Sequence, residues 1–403
     1  MKLRAFLAAL VAASLVSLLS CVPSTLPEFK SSEKQLSSLS ILASDNPEAG
    51  LGDDYSFTWN RNHQAFVSIP PQAPFDADLS GLVARFALSE GATASIGGTR
   101  VEAGITPIDF RAGALFEISA EDGSSVELLA LLGQEAPPPS GDPIGVDVTV
   151  ASYNAEDFDM GGGPAKHAEI ASMLKAKSVE VVILTETEAS GLDNDVGLLQ
   201  TELVEIGWPM QYVAVADSGY EDDAVIVSKF PIESETVLSC TTGSENGMRP
   251  GVLAKLKVQN GSGAYVYLTV MGFHLKAMVD GLSIRLEQAR SLANYLRTTY
   301  EADLSNGYYI IAGDLNTVAA GDRGSATSTM GYLRMLDDPD TTNDFWAVNE
   351  SLLPTTATHQ MGSVLDHIIL SPALSSRYKA DSIDVDQSVV LSDHYPVLLE
   401  LAL

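Results

Sequence analysis

The sequence predicts an α/β C-terminal unit preceded by a small all-β sandwich. Three observations lead there. From residue 144 onward, apolar runs of strand length alternate with amphipathic helical stretches, the pattern of a layered α/β fold. Between residues 54 and 134 the runs are short, alternate apolar with polar, and are separated by turn residues, which reads as a sandwich. Between these regions lies a linker at 135–143, Glu135-Ala136-Pro137-Pro138-Pro139-Ser140-Gly141-Asp142-Pro143, whose consecutive prolines resist both helix and sheet. With 403 residues the chain is long enough for both units and a large core.

In chain order, residues 1–20 read as a targeting segment. Lys2 and Arg4 make a basic start, and Ala5 to Leu19 is an apolar stretch too short to span a bilayer comfortably. It ends in Leu18-Leu19-Ser20-Cys21, which resembles a bacterial lipoprotein signal with Cys21 as the lipidated residue; Leu19 is larger than the usual residue there. An ordinary secretory signal is the alternative. Residues 21–53, rich in Ser, Glu, Pro and Gly, read as a flexible tether. The chain has two cysteines. With Cys21 carrying lipid, Cys240 has no intramolecular partner, so no disulfide is expected, and Cys240 reads as a small buried hydrophobe. The expectation is a monomeric lipoprotein of the cell membrane or outer membrane, facing periplasm or exterior.

In the 54–134 segment, Tyr55–Trp59, Ala65–Ile69 and Leu82–Phe86 read as strands. Leu115–Ala120 and Val126–Leu132 form a hairpin around Glu121-Asp122-Gly123-Ser124, where Asp-Gly supplies the positive φ of such a turn. The run Ser95-Ile96-Gly97-Gly98, then Gly104-Ile105-Thr106, Asp109-Phe110 and Ala120-Glu121-Asp122-Gly123-Ser124 resembles an immunoglobulin-like module of bacterial surface lipoproteins. That resemblance implies no catalysis, and a spacer role is the expectation.

The 144–403 segment opens with the strand Val146–Tyr153, ending at Asn154. A helix is predicted over Pro164–Lys177, with Pro164 in its first turn and Ile170, Met173 and Leu174 on one face. The buried strand Val181–Leu184 ends at Glu186, and a shorter helix spans Leu198–Ile206. Ala224–Val227 is a strand preceded by Glu221-Asp222-Asp223. Val252–Val258 and Tyr265–Phe273 make an antiparallel pair, the second strand running into His274. The long helix Leu282–Asp303 carries an apolar stripe through Leu286, Ala289, Leu292 and Leu296. The strand Tyr308–Ala312 then stops abruptly at Gly313-Asp314-Leu315-Asn316. A loop-rich stretch, Thr317–Gly362, precedes the strand Val364–Leu370, and the chain closes with Ser392-Asp393-His394-Tyr395-Pro396 and the strand Val397–Leu401.

Charged residues at 19% and hydrophobic ones at 45% argue for a globular protein. The net charge of −30 repels nucleic acid and anionic membrane at long range. A bound metal ion reverses that sign locally, so a polyanionic substrate is not excluded. Against this background Asn154, Glu186, His274, Asp314, Asn316, Asp393 and His394 all follow or flank apolar strands, where layered sheet proteins place their chemistry.

At these positions the chain resembles the endonuclease/exonuclease/phosphatase superfamily, the DNase-like fold. The resemblance is carried by Ser152-Tyr153-Asn154, Leu184-Thr185-Glu186, Gly272-Phe273-His274-Leu275-Lys276, Gly313-Asp314-Leu315-Asn316, Leu365-Asp366-His367-Ile368 and Ser392-Asp393-His394-Tyr395-Pro396. Thr185 departs from the Gln common there. The resemblance implies a four-layer α/β sandwich of two mixed sheets and divalent-cation-dependent hydrolysis of phosphate esters. It implies Mg²⁺ or Mn²⁺ at Glu186, with Asn154 and Asp393 as further metal residues, and carboxylates suit such hard cations. Asp314 would orient or deprotonate the attacking water, and Asn316 would hold the phosphate or nucleophile. His394 would donate to a non-bridging or leaving oxygen, oriented by Asp366, and His274 would stabilise the charge built up at phosphorus. Glu221 or Asp222 would orient His274. Arg249 and Lys276 are expected to contact substrate phosphate. His63, His167, His359 and His367 are expected to be structural or surface residues.

The substrate is left open among three readings. One is a nuclease or related phosphodiesterase acting without sequence specificity. The second is a sphingomyelinase- or phosphoinositide-phosphatase-like lipid phosphoesterase, against which no exposed aromatic hairpin is evident. The third is a non-catalytic surface adhesion protein on the same scaffold, which would not require every acid, amide and histidine.

Overall fold

Strands that alternate apolar with polar residues can bury only one face, so the N-terminal half builds its core by folding a sheet over itself. A computed structural model describes residues 30–61, 64–138, 142–156, 166–188, 195–218, 223–239, 249–352 and 356–403. Residues 1–20, Cys21, His63, Cys240, Glu221 and Asp222 lie outside these. The N-terminal strands are β1 (Leu36–Ile41), β2 (Tyr55–Asn60), β3 (Ala65–Ala73), β4 (Leu82–Leu88), β5 (Thr93–Ile96), β6 (Thr99–Val101), β7 (Pro107–Ile108), β8 (Ala114–Ser119) and β9 (Ser125–Gln134). They form one hydrogen-bonded series, β6-β5-β8-β9-β3-β2-β1-β4-β7. Phe86 of β4 and Phe116 of β8 are far apart in that series, yet their rings meet edge-on at 5.6 Å. The sheet therefore closes on a core that includes Ile41, Tyr55, Leu82, Phe110, Phe116 and Ile118.

Two expectations change here. Leu36–Ile41, read as tether, is a strand paired with both β2 and β4. The sandwich is also docked on the catalytic half. Gly324 donates to Ala112 O at 2.7 Å and accepts from Leu115 N at 3.2 Å. Gly324 has φ +87°, and an added Cβ would lie 2.7 Å from Leu115 Cβ, so glycine alone permits the approach. Gln72 donates to Ser351 O at 3.0 Å, and the Trp346 indole donates to Gln134 O at 3.2 Å. Arg111 pairs with Asp344 at 3.0 Å.

The catalytic half contains β10 (Asp147–Asn154), β11 (Val181–Thr187), β12 (Tyr212–Ala216), β13 (Asp223–Ser228), β14 (Ile232–Leu238), β15 (Gly251–Gln259), β16 (Tyr265–His274), β17 (Tyr308–Asp314), β18 (Trp346–Ala347), β19 (Asp366–Leu370), β20 (Asp384–Val385) and β21 (Val397–Ala402). Two six-stranded sheets result, β12-β13-β11-β10-β21-β20 and β14-β15-β16-β17-β19-β18. Each is mixed: β10–β11 and β16–β17 are parallel, and the neighbouring pairs antiparallel.

Strands such as β13 and β17 are buried on both faces, so each sheet must be covered twice. One core, with Val150, Ile183, Ile226, Val270, Ile310 and Ile368, lies between the sheets. A second packs the helix Leu282–Tyr300 onto the outer face of the β16–β17 sheet through Leu292, Leu296 and Ile311. A third packs the helices His167–Ala176 and Asp195–Glu205 onto the other sheet through Leu174, Leu199 and Val225. The layers are helix, sheet, sheet, helix: a four-layer α/β sandwich. No helix among the described residues is long and apolar enough to cross a membrane.

Candidate active site

The topology dictates where the polar strand ends meet. Each sheet contributes one parallel pair, with Asn154 opposite Thr185 in one and His274 opposite Asp314 in the other. Parallel strands share a carboxyl end, so each pair delivers two functional ends to one rim. The antiparallel neighbours arrive there by their amino ends. Asp366 starts β19 opposite Asp314, and β21 pairs Val397 with Ser152, which brings Asp393 and His394 beside Asn154.

Local backbone conformation aims the side chains. The β11–β13 register shifts between Leu184 and Thr187, and Glu186 within that irregularity has φ +52°. A bulge of this kind re-aims a side chain at the cost of local strain. Gly313 has φ +136°, and a Cβ there would lie 1.9 Å from Phe273 O. Only glycine lets β17 run this close to β16 while presenting Asp314.

The amide of Asn154 joins the two halves of the site: its nitrogen donates to Glu186 Oε1 at 2.9 Å and to Asp314 Oδ2 at 3.1 Å. Its oxygen accepts from Glu156 N at 3.0 Å, which fixes the orientation of the amide. Asn154 thus turns nitrogen, a group that cannot ligate a cation, toward the carboxylates, unlike the expected metal residue. His274 Nε2 stands 3.5 Å from Glu186 Oε1 and 3.6 Å from Asp314 Oδ2. Across from it, His394 Nδ1 bonds Asp366 Oδ2 at 2.7 Å, and His394 Nε2 faces Asp314 Oδ2 at 3.7 Å and Asp393 Oδ1 at 3.8 Å. Asn316 donates from its side chain to Leu275 O at 3.1 Å, and its main-chain N–H donates to Asp314 Oδ1 at 3.0 Å.

The two imidazoles titrate in opposite directions. Burial, with the positive charge of Arg249 and His394 nearby, pushes His274 well below the ordinary histidine range, so it is neutral. Burial opposes the charge on His394 as well, but Asp366, Asp314 and Asp393 outweigh it and raise the group to about 10. Burial raises Asp314, against the pull of His394 and the bond from Asn154.

The residues present fit a hard divalent cation. Glu186, His274 and Asp314 offer donor atoms within 4.8 Å of one another, and Asp314 is a buried carboxylate beside a second carboxylate. Carboxylate oxygens of this kind are the donors Mg²⁺ and Mn²⁺ prefer.

Arg249 reaches the rim through a bond to Leu275 O at 3.4 Å, close enough to act on His274. Lys276 is anchored by its main chain, its N–H donating to Gln288 Oε1 at 3.0 Å and its O accepting from Arg285 at 2.7 Å. All eight expected catalytic and metal positions therefore converge. A cavity of about 490 Å³ opens elsewhere, between the two halves, and none of these residues lines it.

Three features escaped the sequence. Glu156 accepts the Asp393 main-chain N–H at 3.0 Å. His359, expected to be structural or surface, donates toward Asp393 Oδ2 at 3.2 Å and stacks edge-on against His394 at 4.6 Å. Arg285 and Asp322 form a fully buried pair with two bonds, of 2.8 and 2.7 Å. Arg285 also holds Met278 O, and Asp322 holds Ala319 N and Thr329 Oγ1, so the pair ties the loop after His274 to the loop after Asn316.

Known proteins resemble this chain at several levels. A solved endonuclease/exonuclease/phosphatase from Beutenbergia cavernae is 16% identical, with 64% of this chain and 72% of that one covered, at a TM-score of 0.48. The human Nocturnin catalytic domain with bound sulfate is 14% identical, covering 64% and 96%, at 0.44. D. rerio TDP2 complexed with a single-strand DNA product is 15% identical, covering 63% and 98%, at 0.46. No curated protein matches the sequence. The model of the endonuclease/exonuclease/phosphatase family matches residues 151–394, more than half of the sequence, and the chain belongs to that family.

Proposed function

We propose that the chain is an exported, lipid-anchored phosphodiesterase that uses Mg²⁺ or Mn²⁺ to hydrolyse phosphate diesters, with nucleic acid cut without sequence preference as its main substrate. The observation that supports this most is the convergence of Glu186 and Asp314 on one side with the Asp366–His394 pair on the other.

Glu186 and Asp393 would hold the cation, which when bound neutralises phosphate charge and acidifies water. Asn154 holds the Glu186 and Asp314 carboxylates in register for it. Asp314, whose affinity for a proton is raised by burial, takes a proton from the attacking water. Asn316 spends one amide N–H on Leu275 O and keeps the other for a phosphate oxygen. His394 is an imidazolium at neutral pH and gives its Nε2 proton to the leaving oxygen. Water oxygen bonds to phosphorus, the P–O bond to the leaving group breaks, and a phosphomonoester and an alcohol result. His274, being neutral, contributes a hydrogen bond and not a charge. Arg249 and Lys276 meet the flanking phosphate. Cys21 carries the lipid that places the domain outside the membrane.

One observation favours the lipid reading as a second possibility. Met278 and Val279, on the loop after His274, and Met361, beside His359, are 71%, 66% and 87% exposed. Apolar tips on two rim loops suit a lipid surface.

The test is a panel of linear and plasmid DNA, RNA, sphingomyelin vesicles, phosphoinositides and bis-nitrophenyl phosphate. Magnesium-dependent cleavage of DNA or RNA is expected. Cleavage of lipid alone moves the assignment to the second reading, and no cleavage of any diester removes the activity.

A further inference from the structure

We propose that His359 is a positioning residue that sets the Asp393 carboxylate for cation binding. The proposal rests on the reading of Asp393 as a cation ligand. The tautomer of His359 is fixed by its surroundings. Its Nδ1 accepts the Met361 main-chain N–H at 3.0 Å, so the ring proton of the neutral form resides on Nε2. Nε2 faces Asp393 Oδ2 at 3.2 Å and donates to it.

His359, Asp393 and His394 together present two imidazoles and a carboxylate with donor atoms within 4.8 Å, which by itself suggests a second metal site. The tautomer argues against His359 as a ligand. A cation on Nε2 would need the proton on Nδ1, where it would oppose the Met361 N–H. His359 therefore acts as a donor. It occupies Oδ2 and leaves Oδ1, which faces His394 Nε2 at 3.8 Å, outside that bond.

The main chain holds this arrangement in place. His359 bridges His394, Gln360 N donates to Asp393 O at 2.8 Å, and Tyr395 N donates to Thr358 O at 2.7 Å. Thr358 Oγ1 accepts from Asp366 N at 3.0 Å on its other side. The Thr358–Gln360 strap thus spans two acidic partners of His394, Asp366 and Asp393. Asp393 is 45% exposed at its side chain while His359 is 13% exposed, so the more enclosed imidazole restrains a carboxylate that water would otherwise let swing.

The experiment is Mn²⁺ binding to the full chain, read by the loss of the free Mn²⁺ electron-spin signal, with melting temperature as the check on folding. His359→Phe keeps the ring packing on His394 and removes the donor; His359→Gln restores a donor of similar reach. Mn²⁺ binding is expected to weaken about tenfold or more in His359→Phe and to recover most of the way in His359→Gln. Equal binding in His359→Phe and wild type overturns the proposal, as does a His359→Gln variant that folds but binds no better than His359→Phe. If the wild type itself binds no Mn²⁺, the cation reading fails and this proposal falls with it; if Glu186→Gln loses binding while His359→Phe does not, only the role of His359 is lost.

Discussion

His274 and His394 flank the same Asp314 carboxylate, at 3.6 and 3.7 Å, yet one is neutral and the other charged. The difference lies in their partners. His394 Nδ1 is bonded to buried Asp366, whereas His274 Nδ1 is buried with no hydrogen-bond partner among the described residues. Opposite shifts in neighbouring groups separate their roles, and the charged imidazole is the proton donor. His394→Ala is therefore expected to lower turnover by about 10²–10⁴-fold in a protein that still folds; near-normal turnover would remove it from the site. The same shift makes a stability prediction for the chelated protein. The folded chain keeps the His394 proton up to about pH 10, while the unfolded chain releases it near its ordinary 6.5. The folded state then binds more protons across that window, so the contribution is full below it and is lost as pH rises through it. Melting curves from pH 6.5 to 10 should fall more steeply for wild type than for His394→Gln, and parallel curves would contradict the shift. Most of these residues were legible in the sequence because each follows or precedes an apolar strand. His359 was not. It sits in a loop-rich stretch, and its role comes from a main-chain bridge to His394 that no local pattern encodes.

At the scale of elements, the functional loops are fastened from beneath. Arg285 on the helix Leu282–Tyr300 and Asp322 are both fully buried, and Arg285 donates to Asp322, Lys276 O and Met278 O. Removing one partner of a buried pair strands the other charge. Asp322→Ala is expected to cost about 3–5 kcal/mol in urea unfolding, and a loss under about 1 kcal/mol would mean that the loops are held by other contacts. Gly313→Ala should also disturb the β16–β17 register, because its Cβ has no room beside Phe273 O. The strands that built the two parallel pairs were readable as apolar runs ending in polar residues. Others were hidden for physical reasons. Leu36–Ile41 is half serine in composition and reads as tether until β4 is there to pair with it. Ile232–Leu238 is mostly exposed and carries four polar residues in a row, as suits a strand at the edge of its sheet.

On the scale of the whole molecule, the sandwich and the catalytic half share a boundary that reaches toward the site. Gln72 and Gly133 pack against Ser351 in the short helix Val348–Leu352. In that helix Asn349 donates to Asp366 O at 2.9 Å and accepts from Ile368 N at 3.1 Å. The path from the sandwich to Asp366 therefore runs through one buried amide. Removing residues 30–138 is expected to lower the melting temperature of the catalytic half by about 5 °C or more and to reduce turnover of a small soluble diester. An unchanged melting temperature would return the sandwich to the role of a spacer. The linker prolines disclosed a boundary between two units, but docking depends on surface fit, such as Gly324 against Leu115, which a linear reading does not expose.

The most direct measurement is hydrolysis of bis-nitrophenyl phosphate by the full chain before and after chelation. Activity should fall to background with the chelator, return with Mg²⁺ or Mn²⁺, and stay at background in Glu186→Gln under both conditions. Hydrolysis that continues unchanged in the chelator, or in Glu186→Gln, would contradict a cation held at the meeting point of the two sheets.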